Sequence, residues 1–99
     1  MANYKLTNKA VEDLSEIWEY TFQAWSEKQA DKYYDYLISN CQEIAENPKL
    51  GRKYNGISNH LLGLKVNRHV IFYRSLESDY VEITRILHER MDLKNRMIE

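Results

Sequence analysis

The chain has one cysteine, one proline and three glycines among its 99 residues. Each scarcity excludes a class of protein. A single cysteine, Cys41, cannot close an internal disulfide, and no cysteine pair offers a zinc site. Cys41 is expected inside a helix as a small hydrophobe. The glycines Gly51, Gly56 and Gly63 stand apart, so there is no glycine-rich phosphate loop. There is no HExxH motif and no nucleophile elbow. No apolar run approaches the roughly 20 residues that span a bilayer. The opening stretch, "MANYKLTNKA", lacks the apolar core of a signal peptide, so a cytoplasmic location is the default expectation.

What is present points to one ordered domain. Hydrophobic residues make up 43% and charged residues 29%, a balance that disfavours disorder. The net charge of −1 hides an asymmetry. Residues 1–48 hold four basic and nine acidic residues, and residues 49–99 hold ten basic and six acidic. From Lys49 to Arg74 there are six basic residues and no acidic one. This split fits either an acidic partner for the second half or a basic sheet that complements an acidic helical layer.

The apolar period sets the order of elements. "NYKL", residues 3–6, suits a first edge strand. Thr7 or Asn8 can cap a helix over 8–25, in which Ala10, Leu14, Ile17, Trp18, Thr21, Phe22 and Trp25 recur at helical steps. Its acids, Glu12, Asp13, Glu16 and Glu19, are expected in early turns where the helix dipole favours them. Ser26 can cap a second helix over 27–46, stopped by Asn47-Pro48. The short junction makes the two an antiparallel hairpin. "KLGRKYNGISNH", residues 49–60, reads as a loop. Strands follow at 61–66, 69–75 and 80–87, separated by tight turns, as an antiparallel meander. "HVIFY" is nearly all apolar, as in a central strand covered on both faces. Residues 88–99 form a polar tail, with Met97 and Ile98 exposed or docked on a partner. Helices and sheet bury their apolar faces only against each other, which predicts a two-layer α+β domain.

Three histidines, His60, His69 and His88, sit at or near strand ends, and no two share an element at metal-ligating spacing. The combination that could carry chemistry is basic. His88 with Arg74, Arg85 or Arg90 could supply a proton-transfer group and cations for phosphate cleavage. Strand alternation lets His88 and Arg90 converge while Arg85 points away. A solvated strand end is the structural alternative.

"HVIFYR", followed after a turn by "VEITRILHERMD", resembles the end of ParE toxins of the RelE/ParE superfamily. "LTNKAVEDLSEIWEYTFQAWSEKQADKYYDYL" resembles their opening strand and helix, and "NPKLGRKY" their Pro-Gly-Arg connector; the likeness covers residues 4–92. It implies a bacterial type II toxin, encoded with an antitoxin of the ParD or a related type, with a helical hairpin on a mainly antiparallel sheet. One branch of the superfamily, the RelE- and YoeB-like members, cleaves messenger RNA on the ribosome. The ParE branch poisons DNA gyrase by protein contact. In the nucleases the central strand tends to read His-Arg-aliphatic-aliphatic-Tyr and the chain ends in His-Tyr. Here Val70 occupies the Arg position and Glu89 the Tyr position after His88. A carboxylate there repels phosphate, and a near-zero net charge suits ribosomal RNA poorly. The resemblance therefore implies a gyrase inhibitor, with no catalytic residue, metal or cofactor. His88, Glu89, Arg90, Met91, Asp92 and Arg74 are the candidate target contacts. A homodimer or a larger toxin–antitoxin assembly stays open; no membrane contact and no nucleic-acid specificity are expected.

Eight tyrosines and two tryptophans are too many for a core of this size to bury completely. Buried aromatic and arginine anchors build tight interfaces. Tyr4, Trp18, Tyr20, Tyr33 and Tyr36, with Arg52, Lys53 and Arg68, are therefore the candidate antitoxin contacts. They are expected to receive a segment with apolar and acidic residues across the helix hairpin and the sheet edge.

Overall fold

The structure, a computed structural model, describes residues 2–77, 80–91 and 93–97. The elements follow in the order β1 (Asn3–Leu6), α1 (Asn8–Ala24), α2 (Glu27–Glu46), β2 (Arg52–Lys53), β3 (Leu62–Val66), β4 (His69–Glu77), β5 (Tyr80–His88) and α3 (Leu93–Met97). The five strands form one mixed sheet in the order β1-β5-β4-β3-β2. The helical hairpin covers one face, in agreement with the α+β expectation. The parallel pair β1–β5 brings the first strand beside the last.

Both helix starts are fixed by side chains. Thr7 caps α1, its hydroxyl accepting from the Ala10 N–H at 3.1 Å. Ser26 caps α2 through the Gln29 N–H at 3.1 Å. Each bond satisfies one of the donors a helix leaves open at its start, worth about 1 kcal/mol. The first turn of α1 contains no acid, contrary to the dipole expectation. Asp13 lies one turn further in and has a different task.

The main core joins Ala10 and Leu14 of α1, Leu37, Cys41 and Ile44 of α2, and Val66, Ile71, Tyr73, Val81, Ile83 and Ile86 of the sheet. Burial pushes the Cys41 thiol up to about 12, as expected of an inert core cysteine. The apolar stripe of α1 outruns this core: Phe22 is exposed and Trp25 is 76% exposed.

The other face of the sheet is also covered. Leu61, Val70, Phe72 and Leu87 form a second cluster, with Tyr54, Ile57, Leu93 and Met97 packed against it. This explains the unbroken apolar run of β4, and it corrects two expectations. The loop at 49–60 contains the short strand β2, paired with Gly63 and Leu62. The C-terminal stretch is not simply a polar tail: His88 belongs to β5, and α3 lays Leu93 and Met97 on the second cluster. Ile98 lies outside the described residues.

The edge of β5 shows how one acid can complete a sheet. β1 pairs only with Tyr80–Ile83. The chain then leaves through Thr7, whose N–H donates to the Ile83 carbonyl at 3.1 Å and whose hydroxyl donates to the Thr84 carbonyl at 2.7 Å. Further along, the Ile86 N–H meets the Asp13 carboxylate at 3.0 Å. Asp13 thus stands in for the missing strand. Without it a buried donor would go unpaired at about 1–3 kcal/mol.

Candidate functional site

The groove that matters lies where α1 and α2 overhang the sheet end carrying His69 and His88. Its volume is about 930 Å³, and Tyr20, Trp25, Tyr33, Arg68, His88 and Arg90 are among its lining residues.

Its floor is held by a buried ion pair. Arg85, 8% exposed, donates from Nε to Asp13 Oδ2 at 2.8 Å and from Nη2 to Oδ1 at 3.0 Å. Its Nη1 donates to the Arg96 carbonyl at 2.6 Å. This fork ties α1, β5 and α3 together. Arg85 is therefore a structural residue and not a cation waiting for phosphate. Unlike the pairs Lys5–Glu82 and Lys65–Glu89, this one joins a helix to the sheet.

Beside the floor, His69 and His88 face each other across β4 and β5. Their rings meet edge to face with centroids 5.3 Å apart. The His69 Nδ1 lies 2.7 Å from the Tyr33 hydroxyl, which joins α2 to the sheet end. Burial and the adjacent His88 pull the His69 pKa down to about 4, opposed by Glu89. His69 is thus neutral near pH 7.

The segment "HERM" is a tight turn. The Arg90 N–H donates to His88 Nδ1 at 3.1 Å, and the Met91 N–H donates to the His88 carbonyl at 3.0 Å. The first bond makes His88 Nδ1 an acceptor. Glu89 turns to the other hairpin: its N–H donates to the Arg68 carbonyl at 2.8 Å, and its carboxylate pairs with Lys65 Nζ at 2.9 Å. The Lys65 hydrogen bond holds the Glu89 carboxyl below its usual range.

The candidates divide. His88, Arg90 and Met91 line the groove, as do Tyr20, Tyr33 and Arg68. Asp92 lies outside the described residues. Arg74 does not join the other target candidates. It pairs with Glu82, five residues along β4 from His69, or roughly 17 Å at strand spacing. Its Nη2 donates to the Ser58 hydroxyl at 2.6 Å, on the side covered by residues 54–61, while its buried Nε has no hydrogen-bond partner among the described residues.

The remaining antitoxin candidates are scattered. Tyr4 packs against the main core. Trp18 donates from Nε1 to Asp31 at 2.9 Å and stacks on Phe22, fastening the two helices. Tyr36 is exposed on α2, outside the groove. Arg52 and Lys53 sit on β2 at the opposite edge of the sheet from β1, with the Arg52 guanidinium over the Tyr54 ring at 5.2 Å.

Sequence reading missed Trp25 and His69 as groove residues. Trp25 was assigned to the helix core, but α1 has run past the core there. His69 was read as a strand start, yet its register partner is His88. Among the described residues no group of three His, Cys, Asp or Glu could hold a metal ion, and no helix is long and apolar enough to cross a membrane.

A helical hairpin over one face of a mixed sheet, with a groove at the sheet end, defines a two-layer α+β domain. Residues 4–93 match the family described as ParE toxin of type II toxin-antitoxin system, parDE. A curated relative from Mycobacterium tuberculosis, "Toxin ParE1", is 31% identical over 96 residues, 97% of this chain and 98% of the relative. Another "Toxin ParE1", from Caulobacter vibrioides, is 34% identical over 94 residues, 95% and 96% of the two chains. A solved structure titled "Chromosomal ParDE TA system from P. aeruginosa" shares the fold, with a TM-score of 0.75 at 18% identity, covering 89% of this chain and 96% of that one. The chain belongs to the ParE toxin family of type II toxin–antitoxin systems.

Proposed function

We propose that this toxin arrests bacterial growth in the cytoplasm by binding DNA gyrase through protein contact, without cleaving a nucleic acid, and that a ParD-like antitoxin silences it. The observation that carries the reading is the state of the two positions where an RNA-cleaving relative would need Arg and Tyr. Val70 is 3% exposed and sealed in the second cluster. Glu89 is a carboxylate fixed by Lys65. Neither can stabilise a phosphorane-like charge. The antitoxin partner is supported by the ParDE title of the solved neighbour and by groove residues Tyr20, Tyr33 and Arg68.

Supercoiling by purified gyrase tests the target. Added toxin is expected to stop supercoiling and to accumulate cleaved DNA complexes, with no metal requirement of its own. Unaltered supercoiling in excess toxin sinks the reading. The competing ribonuclease reading rests on His88 beside Arg68 and Arg90 in one groove. In-frame cuts in translated messenger RNA, abolished by His88→Ala, would establish it instead.

A further inference from the structure

The sheet end at the groove has a back as well as a front. Val66, His69 and His88 stand in register across β3, β4 and β5, and Val66 belongs to the core beneath the hairpin. Lys65, Val70 and Leu87 are in register one step further along, and Val70 and Leu87 belong to the second cluster. Alternation along the chain puts Glu89 on the same face as Leu87. The Lys65–Glu89 ion pair, 2.9 Å long, therefore lies behind the sheet end. Neither of its residues lines the groove, whereas Arg68, His88, Arg90 and Met91 do.

Glu89 is where the chain changes face. Its N–H donates to the Arg68 carbonyl at 2.8 Å, one step past the His69–His88 pair, and so ties the β3–β4 turn to the end of β5. Its side chain is drawn to the back by Lys65. The next two residues serve the front. The Arg90 N–H donates to His88 Nδ1 at 3.1 Å and the Met91 N–H to the His88 carbonyl at 3.0 Å. Beyond them Leu93 and Met97 return to the second cluster.

The ion pair does little for the fold. The Lys65 and Glu89 side chains are 64% and 29% exposed, and a pair this open to water contributes little to stability. The buried Arg85–Asp13 fork already holds β5. What the pair fixes is direction. An exposed turn bonded only to His88 has several arrangements open to it. Holding the Glu89 side chain at the back sends its neighbour Arg90 to the front.

We infer that Lys65 is a positioning residue for the target. By holding Glu89 behind the sheet end it aims Arg90 and Met91 into the groove, without touching the target itself. This inference rests on the proposed function and adds a residue that shapes the contact surface from the opposite face.

The test uses the full-length toxin and intact gyrase. Lys65→Glu sets two carboxylates together, and Glu89→Lys two amines. Each is expected to raise the toxin concentration for half-inhibition of supercoiling about tenfold, with Tm unaltered. Combining the two changes restores the pair with its ends exchanged, and is expected to recover inhibition to within about threefold of wild type. A combined variant as weak as the single ones would mean that Lys65 or Glu89 meets gyrase directly, and overturns the inference. So do single variants of wild-type potency. A second measurement needs no gyrase. In Lys65→Met, which adds no repulsion, amide hydrogen exchange at Arg90 and Met91 is expected to quicken about tenfold while Ile86 stays protected. Unchanged exchange at Arg90 and Met91 overturns the inference and leaves the proposed function standing. If wild-type toxin leaves supercoiling unaltered, the proposed function fails and the role toward the target with it, whatever the exchange at the turn.

Discussion

At one end of the β4–β5 ribbon, His69, His88 and the turn after them face an open groove. At the other end, Tyr73 and Arg74 are held against loops. The Tyr73 hydroxyl accepts from the Gly51 N–H and donates to the Pro48 carbonyl, both at 2.8 Å. Arg74 bonds Ser58. The strands supply polar side chains at both ends, so residue type does not separate them. What lies above them does. Where a connector covers the sheet, the Tyr73 hydroxyl satisfies its backbone; where the hairpin overhangs, it touches through Tyr33 and Asp13, and the side chains around those contacts line an open groove. Even at the open end the split persists between a floor that holds the fold and a rim that does not.

The strongest way to break this comparison is to attack the floor. Asp13→Ala leaves the Arg85 guanidinium buried without its carboxylate and removes the acceptor for the Ile86 N–H. Loss of a buried partner of this kind costs about 3–5 kcal/mol, to be read from urea denaturation. Adding Arg85→Met to that variant is expected to recover part of the loss. A change under about 1 kcal/mol in Asp13→Ala would show that the floor is not structural.

Acid tests the same end without mutation. Folding lowers the His69 pKa from 6.5 to about 4. Between those values the unfolded chain binds the proton and the folded chain does not, so stability rises with pH across the window. The contribution is complete above about pH 6.5 and lost as pH falls to about 4, a difference of roughly 3 kcal/mol. The Tm measured from pH 7.5 to 4.5 should fall accordingly, and His69→Gln should flatten that dependence. An identical pH profile in the variant would assign the loss to other groups.

At the covered end, Tyr73→Phe strips the hydroxyl from between Gly51 and Pro48. Leaving such groups unpaired costs about 1–3 kcal/mol, visible as a lower Tm. The smallest effect on stability is expected at the rim. Arg90→Ala and Tyr20→Ala, at exposed positions, should shift unfolding by less than about 0.5 kcal/mol, yet relieve growth arrest when the toxin is expressed alone. A rim variant that is fully toxic would sharpen the comparison in the other direction, by returning the rim to plain surface.

The fold was legible because its signals are local. Thr7 and Ser26 cap where the period begins, Pro48 follows the end of α2, and Asn67 takes the left-handed conformation, with φ of 59°, at the first β-turn. The short strand β2 was not legible, because two exposed residues, Arg52 and Lys53, carry no alternation to read. Nor was the docking of α3, since Leu93 and Met97 are only two apolar positions in a polar stretch.

The groove was half legible. The β4–β5 register shifts twice, between Phe72 and Tyr73 and between Ser75 and Glu77. The shifts cancel: Glu77 pairs with Tyr80, and His69 with His88, as unbroken counting from the turn would give. Setting the strand end at Ser75 hid that relation. Arg74 lies apart from the other target candidates for another reason. Chain proximity to "HVIFY" says nothing about which end or face of the sheet a side chain serves.

The parallel pairing of β1 with β5 also sets an order in time. Thr7 closes on Thr84 across 77 residues, and Asp13 on Ile86 across 73. Contacts this distant in sequence close late, since the loop entropy must be met before they form. While the ribosome has yet to add Tyr80, β1 has no strand to join and α1 has no sheet end to overhang. The groove therefore does not exist on the growing chain. It assembles only after β5 has been made, so a chain halted before Tyr80 carries no such groove.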